Sequence, residues 1–483
     1  MRRGISGFIP PIKPTPFPLS LSKGEPSDSG RRGNNMSQNS RVVVIGGVAA
    51  GMSAASQLKR LRPEVEVTVL EAGGDVSYGA CGMPYVLENR GDMESQIVVT
   101  AEQFRQERHI DVRLHTRALK IDRLVQVVTA QTPNGEAAFP YDQLLIATGA
   151  RPVIPPLPGI DLPGVRPLKA LEDGRWWSAQ IREAQRVVIV GGGYIGLEMA
   201  QALQARGLSV TVVEQAPRLI ARWSEAASTA ALRALEGRGI KVRCDVSVAA
   251  IEGEGKVEAV VLSGGERLLA DRVLLAIGVR PNSELAADAG LTLGPAGAII
   301  TDHACRTSDA HIFAAGDCAT APHRITGQPA WIPLGSTANK QGKTAGEAMA
   351  GQEAGFAGIV GTAIFETCGQ VFATTGLSVA QAQEAGFDPV AATVLGATQA
   401  HGMPHPGRTS VTLIADRSGR LLGAEIYGDE GVKGRIDTVA ALLGVGGTVT
   451  DLGDTDLAYC PPQSPVWDPL LIAAHKVAQK IGG

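Results

Sequence analysis

The 483-residue chain has no C-x-x-C pair, no long apolar run and no surplus of charge of one sign. Each absence removes a class of function. Six cysteines, Cys81, Cys244, Cys305, Cys318, Cys368 and Cys460, are scattered along the chain, so neither a zinc site nor a disulfide framework is indicated and no metal is expected. No apolar stretch approaches the roughly 18 residues of a membrane span. A formal net charge of -3 gives no electrostatic footprint for nucleic acid or an anionic membrane. What remains is a soluble globular protein of two to four domains, at roughly 100–200 residues each. The cytoplasm is the expected compartment.

Glycine is abundant instead: 59 residues, above the usual share of about 7%, many of them in strand-to-helix turns. Arg41-Val-Val-Val-Ile-Gly-Gly-Val-Ala-Ala-Gly51 is an apolar strand entering a glycine turn, and a helical pattern follows through Leu61. A second strand, Val65 to Leu70, ends at Glu71. This is the order of a dinucleotide-binding βαβ unit, in which helix N-terminal amides meet a pyrophosphate and the acid accepts ribose hydroxyls. Gly46 and Gly51 hold the first and third glycine places, but Val48 holds the second and Ala49 follows it. A glycine turn in an unrelated α/β protein fits the same stretch.

The pattern recurs in full at Gly191, Gly193 and Gly196, followed by a helix, the strand Ser209 to Val213 and Glu214. An acid there suits the free 2′-hydroxyl of NAD and opposes the phosphate of NADP. NADH is the expected donor, with NADPH as the second option. Two apolar strands, ending in Thr148-Gly149-Ala-Arg-Pro152 and in Gly278-Val-Arg-Pro281, bracket this unit as near copies. They mark paired crossovers between domains. Ile312-Phe-Ala-Ala-Gly-Asp317 then delivers an aspartate at a strand's carboxyl end, placed either to bond a flavin's ribityl chain or to cap a helix.

Between the first acid and these crossovers stands Ser77-Tyr-Gly-Ala-Cys-Gly-Met-Pro-Tyr85. Small residues followed by Pro84 predict a loop entering a helix. Cys81 would lie near the helix N-terminus, where partial positive charge favours thiolate. A small buried packing cysteine is the alternative. From about Gly355 the composition changes. Thr362 to Thr375, Val411 to Asp416 and Leu421 to Tyr427 read as antiparallel strands, Ser378 to Ala385 and Arg435 to Leu443 as helices. Asp456-Leu-Ala-Tyr-Cys-Pro-Pro462 is a stiff loop, and Trp467 to Lys480 a closing helix. Residues 1–40, rich in Pro, Ser and Gly, are expected to be a disordered extension. Either a transit peptide or a start at Met36 accounts for them.

The ordered set from Arg41 onward resembles the two-dinucleotide-domain flavoprotein disulfide reductases. Within them it resembles the single-cysteine branch of coenzyme A-disulfide reductases, persulfide and polysulfide reductases, NADH oxidases and NADH peroxidases. Its carriers are the Ser77–Tyr85 motif, both glycine turns, Ala314–Asp317, and Asp456–Pro462 with Trp467-Asp-Pro469. The resemblance implies an α/β fold. Two Rossmann-like domains, for FAD (41–152 with 276–354) and NAD (153–275), would precede a C-terminal α+β dimerisation domain (355–483) of a homodimer. NADH at Gly191, Gly193, Gly196, Glu214 and Gly278 would reduce FAD held by Gly46, Val48, Ala49, Gly51, Glu71, Thr148, Gly149 and Asp317. The flavin would then reduce Cys81, which rests as a mixed disulfide with coenzyme A or another thiol.

Two-cysteine members carry C-x-x-x-x-C, which is missing here, so Cys81 takes its partner sulfur from a small-molecule disulfide or persulfide, or cycles through sulfenic acid. The branch's oxidases and peroxidases carry a histidine where Ala49 stands, and Ala49 can do no proton work. Disulfide or persulfide reduction is therefore expected ahead of oxidase or peroxidase chemistry. Direct electron transfer to a protein partner, with Cys81 idle, is the reading from another class. Lys59, Arg60 and Arg62 either meet coenzyme A phosphates or form a solvated helix face. Tyr459 matches a family tyrosine that reaches the other subunit's cysteine, or packs on Pro461 and Pro462 at an interface. A second family tyrosine is replaced by Gln370, and no rhodanese-like extension is evident at either end.

Overall fold

The computed structural model describes residues 40–482; the expectations for residues 1–39 lie outside it. Two five-stranded parallel sheets organise the first three quarters of the chain. The first runs Ile312–Ala314, Gln143–Ile146, Arg41–Ile45, Glu66–Leu70, Asp111–Arg113. The second runs Lys241–Arg243, Ser209–Val213, Arg186–Val190, Arg272–Leu275, Val165–Pro167. Their central strands are almost unbroken apolar runs, as expected where both faces of a parallel sheet are covered. A three-stranded antiparallel meander accompanies each sheet: Arg117–Asp122, Val127–Thr132, Gly135–Pro140 beside the first, and Val248–Glu252, Ala259–Leu262, Arg267–Leu269 beside the second. The sequence reading did not anticipate either meander.

The two Gly-x-Arg-Pro copies pair with each other. Ala150–Pro152 and Val279–Pro281 form a two-stranded antiparallel ribbon, with Arg151 opposite Arg280. The ribbon is the place where the chain leaves the first sheet's domain and returns to it.

The C-terminal sheet is antiparallel, in the order Ala363–Thr367, Gln370–Gly376, Leu421–Gly428, Arg408–Asp416, Pro389–Ala397. What reads as one segment from Thr362 to Thr375 is a hairpin, turned at Cys368 and Gly369 with φ of 51° and 81°. Pro389–Ala397 was not foreseen. Its small residues give a weak strand signal, and the Arg408–Asp416 ladder, paired along its full length, holds it. Helices Val379–Glu384, Val432–Val445 and Pro469–Gly482 cover this sheet or its edges.

One core joins the parts. Met83 and Leu87 of the helix after Cys81 pack with Leu197 and Leu203 of the second nucleotide unit and with Phe365 and Phe372 of the C-terminal sheet. Tyr194, Phe365, Phe372 and Tyr427 stack in succession, with ring centroids 4.9, 5.1 and 5.8 Å apart. Such pairs are worth about 0.5–1.5 kcal/mol each beyond their buried area.

Candidate active site

The two glycine turns repeat each other in geometry. Gly46 and Gly191 have φ of 103° and 113°, and a Cβ on either would meet a backbone oxygen of the adjacent parallel strand's end, Ala147 or Ala276, at 2.2 or 2.4 Å. A Cβ on Gly51 would lie 1.9 Å from the Gly46 oxygen, and one on Gly196 2.1 Å from the Gly191 oxygen. These four places admit only glycine. The second place differs: Gly193 has φ −87°, with nothing within 4 Å of an added Cβ, and Val48 has φ −100°. No left-handed backbone is needed there; Val48 puts a side chain at the place where the motif's second glycine lets a pyrophosphate approach the backbone.

Each acid is tied to its turn. Glu71 accepts from the amides of Gly47 and Gly73, both at 2.7 Å. Glu214 accepts from Gly192 at 2.7 Å and Ala216 at 2.8 Å. A carboxylate has about four acceptor positions, so lone pairs remain for ribose hydroxyls. At the crossover, Thr148 and Gly149 are fixed by Asn282: Asn282 Nδ2 donates to the Thr148 oxygen at 2.9 Å and the Asn282 amide to the Gly149 oxygen at 2.9 Å. Gly149 and Gly278 take φ of 68° and 108°, with open space around an added Cβ. Asp317 follows the strand Ile312–Ala314 three residues on, accepting from Lys169 Nζ at 2.9 Å. These cradles, shaped by glycines that tolerate no side chain and flanked by acceptors, fit two dinucleotides.

Cys81 lies in the short turn Ala80–Gly82, directly before the helix Met83–Leu87 with Pro84 in its first turn. The loop-to-helix expectation holds, and the residue reaches the surface while protein atoms crowd its thiol. Its protonation departs from expectation. Burial by surrounding atoms, then the Glu198 carboxylate, push the thiol pKa up; Asp317 adds to this and Lys169 opposes it. A five-residue helix supplies too little field to outweigh desolvation and two nearby acids.

Glu198, Tyr85 and Lys169 are the residues that sequence reading missed. Glu198 lies on the helix Tyr194–Ala205, and Tyr85 donates to its Oε1 at 3.0 Å. Burial raises its pKa to about 7, with Glu366 adding and the Tyr85 hydrogen bond opposing. The available signal was an acid set among the apolar residues of the helix that opens at the second glycine turn. Around it, Gln201 Nε2 donates to Glu88 at 3.1 Å, Arg206 to the Leu87 oxygen at 3.3 Å and Thr367 to the Leu197 oxygen at 3.0 Å. The helix that starts one nucleotide cradle thus also holds the cysteine helix and the C-terminal hairpin.

Lys59, Arg60 and Arg62 end the helix Ala49–Leu61. Lys59 Nζ donates to the oxygens of Pro63 at 2.6 Å and Val65 at 3.1 Å, Arg60 bonds Gln57, and Arg62 pairs with Glu64. Tyr459 is 51% exposed on the C-terminal domain, and Val466 and Trp467 are 64% and 63% exposed. Gln370 bonds Asp429. Among the described residues no helix is long and apolar enough to cross a membrane.

Residues 40–342 match the pyridine nucleotide-disulphide oxidoreductase family, and residues 365–469 match its dimerisation domain. The NAD(P)H coenzyme A polysulfide/persulfide reductase of Pyrococcus horikoshii is 39% identical over 452 residues, 92% of this chain and 99% of that protein. An NADH oxidase of Methanocaldococcus jannaschii is 34% identical over 446 residues, covering 91% and 99%. The structure of an NAD-dependent persulfide reductase from A. fulgidus superimposes with a TM-score of 0.88 at 36% identity, covering 92% of this chain and 84% of that one. With both glycine cradles built to one plan and the dimerisation module behind them, the chain belongs to the pyridine nucleotide-disulphide oxidoreductases, NAD(P)H-dependent flavoprotein enzymes.

Proposed function

We propose that the protein uses NAD(P)H to reduce coenzyme A disulfide, or a coenzyme A persulfide or polysulfide, through Cys81. The observation that carries this reading is the position of Cys81: exposed, with no second cysteine within hydrogen-bonding range, and faced by Lys169, Asp317 and Glu198. A flavin bound at the first cradle supplies two-electron transfer between dinucleotide and sulfur. Gly46, Val48, Ala49, Gly51, Glu71, Thr148, Gly149 and Asp317 hold it in this reading, and Gly191, Gly193, Gly196, Glu214 and Gly278 hold the nicotinamide dinucleotide. The functional domains follow as 41–152 with 276–354, 153–275 and 355–483.

The chain's own residues then have separable tasks. Cys81 forms and breaks the bond to the substrate sulfur. Lys169 stabilises its anionic form, because a cation beside a thiolate lowers its energy. In a homodimer formed through the C-terminal domain, Tyr459 reaches the partner's sulfur site and its phenol donates to the departing thiolate. The exposed run of Tyr459, Val466 and Trp467 supports burial against a second copy. Lys59, Arg60 and Arg62 are the candidates for coenzyme A phosphates, and each would first have to leave its present partners, the Pro63 and Val65 oxygens, Gln57 and Glu64. The cytoplasm, which keeps thiols reduced, is the compartment that suits a reactive cysteine.

The test compares NADH turnover of wild type and Cys81→Ser with coenzyme A disulfide, coenzyme A persulfide, polysulfide, oxygen and peroxide. The variant keeps its yellow flavin and its reduction by NADH but loses turnover with the sulfur substrates. Sulfur turnover at the wild-type rate in the serine variant refutes the reading. Oxygen or peroxide turnover above sulfur turnover in the wild type moves it to the oxidase alternative.

A further inference from the structure

Cys81 stands in a run that opens at Asp75, passes through the helix Met83–Leu87 and ends at the turn Glu94–Gln96. The run closes on itself in two places: the Gly79 amide donates to the Gln96 oxygen at 2.9 Å and the Val98 amide to the Ser77 oxygen at 2.8 Å. None of Ala80, Cys81 and Gly82 is buried, so their place is set by what grips the two ends of the run. The helix Leu171–Gln180, which follows the second sheet's edge strand Val165–Pro167, lies against it. An added Cβ on Gly174 of that helix would stand 2.7 Å from the Met93 sulfur and 2.8 Å from the Met83 sulfur. Arg175 is the next residue. Its Nη1 and Nη2 donate to the two oxygens of Asp75 at 2.6 and 2.9 Å, its Nε and Nη2 to the two of Glu94 at 2.7 Å each. One guanidinium thus joins a carboxylate before Cys81 to a carboxylate after it. A single exposed ion pair holds little. Two bidentate pairs on one planar fork are stronger, and they fix direction as well as distance.

We propose that Arg175 is the positioning residue of the redox loop, closing both ends of the cysteine run against one helix and so setting where the Cys81 sulfur stands. This rests on Cys81 being the redox cysteine, as proposed above. The start of the same helix is fixed to the flavin side. Asp173 Oδ2 accepts from the amides of Lys169 and Ala170 at 2.9 Å each, and Lys169 Nζ reaches Asp317 at 2.9 Å. Lys169 therefore registers the helix on Asp317, and Arg175 registers the cysteine run on the helix. Without the guanidinium, Asp75 and Glu94 are two like charges held at one place, and they drive the ends of the run apart. The Lys169 end keeps its bonds. The loss is thus expected at the passage of electrons to Cys81 and not at the nucleotide that delivers them.

The experiment uses anaerobic holoenzyme, reduced with a thiol and then desalted. Iodoacetamide alkylation is read by peptide mass at Cys81 and at half-buried Cys244, which follows the strand Lys241–Arg243 and serves as reference. Arg175→Met is expected to raise the Cys81 rate at least about threefold, as a loop freed to open exposes its crowded thiol, and to leave Cys244 unchanged. Arg175→Lys falls between, because an ammonium carries the charge without the fork. Glu94→Gln, at a side chain 59% exposed, breaks the same clamp from the surface and gives the same selective rise. Joined to Arg175→Met it adds nothing, since both remove one interaction. In enzyme loaded with coenzyme A disulfide, Arg175→Met keeps its rate of flavin reduction by NADH, while release of coenzyme A thiol from Cys81 slows at least about tenfold. An unchanged Cys81 rate, equal rises at Cys81 and Cys244, additive variants, or equal slowing of both steps overturns the proposal. Failure of Cys81 as the redox cysteine shows instead as sulfur turnover in Cys81→Ser, and the alkylation rates, which need no turnover, still read the clamp.

Discussion

The guanidinium of Arg435 and the carboxylate of Asp468 meet side by side, with Nε to Oδ1 at 2.9 Å and Nη2 to Oδ2 at 2.7 Å, both side chains less than a tenth exposed. Asp468 Oδ1 also accepts from the Leu470 amide at 2.9 Å, at the start of the closing helix. The pair pins that helix to the helix Val432–Val445, directly after the loop that carries Tyr459. Losing one member strands the other's charge in the interior, at a cost of about 3–5 kcal/mol. Arg435→Met is expected to lower the unfolding free energy of the holoenzyme, read from denaturant titration, by a matching amount. A loss below about 1 kcal/mol would show that water reaches Asp468.

The glycine cradles give a paired prediction. Gly51→Ala places a carbon 1.9 Å from the Gly46 oxygen, and Gly196→Ala one 2.1 Å from the Gly191 oxygen. Neither neighbour is a side chain that can swing away. Gly51→Ala is expected to be purified colourless, while Gly196→Ala stays yellow but is reduced by NADH at least about tenfold more slowly, the rate cost of about 1.4 kcal/mol. Absorbance spectra and anaerobic stopped flow read both. A yellow Gly51→Ala with normal flavin content contradicts the assignment.

Nucleotide choice is expected to follow Glu214. Its carboxylate stands at the end of the strand Ser209–Val213, and Arg218 Nη2 is turned to the oxygens of Ala221 at 3.1 Å and Trp223 at 3.2 Å. The carboxylate is left to oppose a 2′-phosphate. Glu214→Gln should narrow the kcat/KM preference for NADH over NADPH by about tenfold, the effect of roughly 1.4 kcal/mol. Equal kcat/KM for both nucleotides in the wild type counts against this.

Tyr459→Phe is expected to slow reoxidation of the reduced enzyme by disulfide, by about 10²-fold if the phenol acts as general acid, while flavin reduction by NADH keeps its rate. Separate stopped-flow traces of the two half-reactions decide it. An unchanged oxidative half-reaction takes Tyr459 out of the mechanism.

The nucleotide cradles were legible because their demands are local. A glycine whose absent Cβ leaves room for a carbonyl two ångströms away has to be glycine, and the spacing survives in the letters of the chain. The Gly-x-Arg-Pro copies were legible for a similar reason, and the ribbon Ala150–Pro152 with Val279–Pro281 accounts for their likeness. Glu198 and Tyr85 were not legible as a pair. They are 113 residues apart and meet only when the second nucleotide unit packs on the cysteine helix. The Cys81 environment was misjudged for the same reason, since the short helix was visible in the sequence and the acids folded against it were not. Pro389–Ala397 was missed because its alanines and glycine show little strand preference until Arg408–Asp416 pairs with them.

The ribbon has a consequence for how such a chain can be rebuilt. Because its two strands are hydrogen-bonded neighbours, everything between Pro152 and Val279 begins and ends at one spot. That stretch is topologically a cassette, and a nucleotide module from another oxidoreductase could be spliced there without stretching the host. The graft's difficulty lies elsewhere, in the helix Tyr194–Ala205. A transplant has to reproduce that helix's grip on Tyr85, Glu88 and Thr367, or the exchanged module will bind its dinucleotide beside a cysteine it no longer addresses.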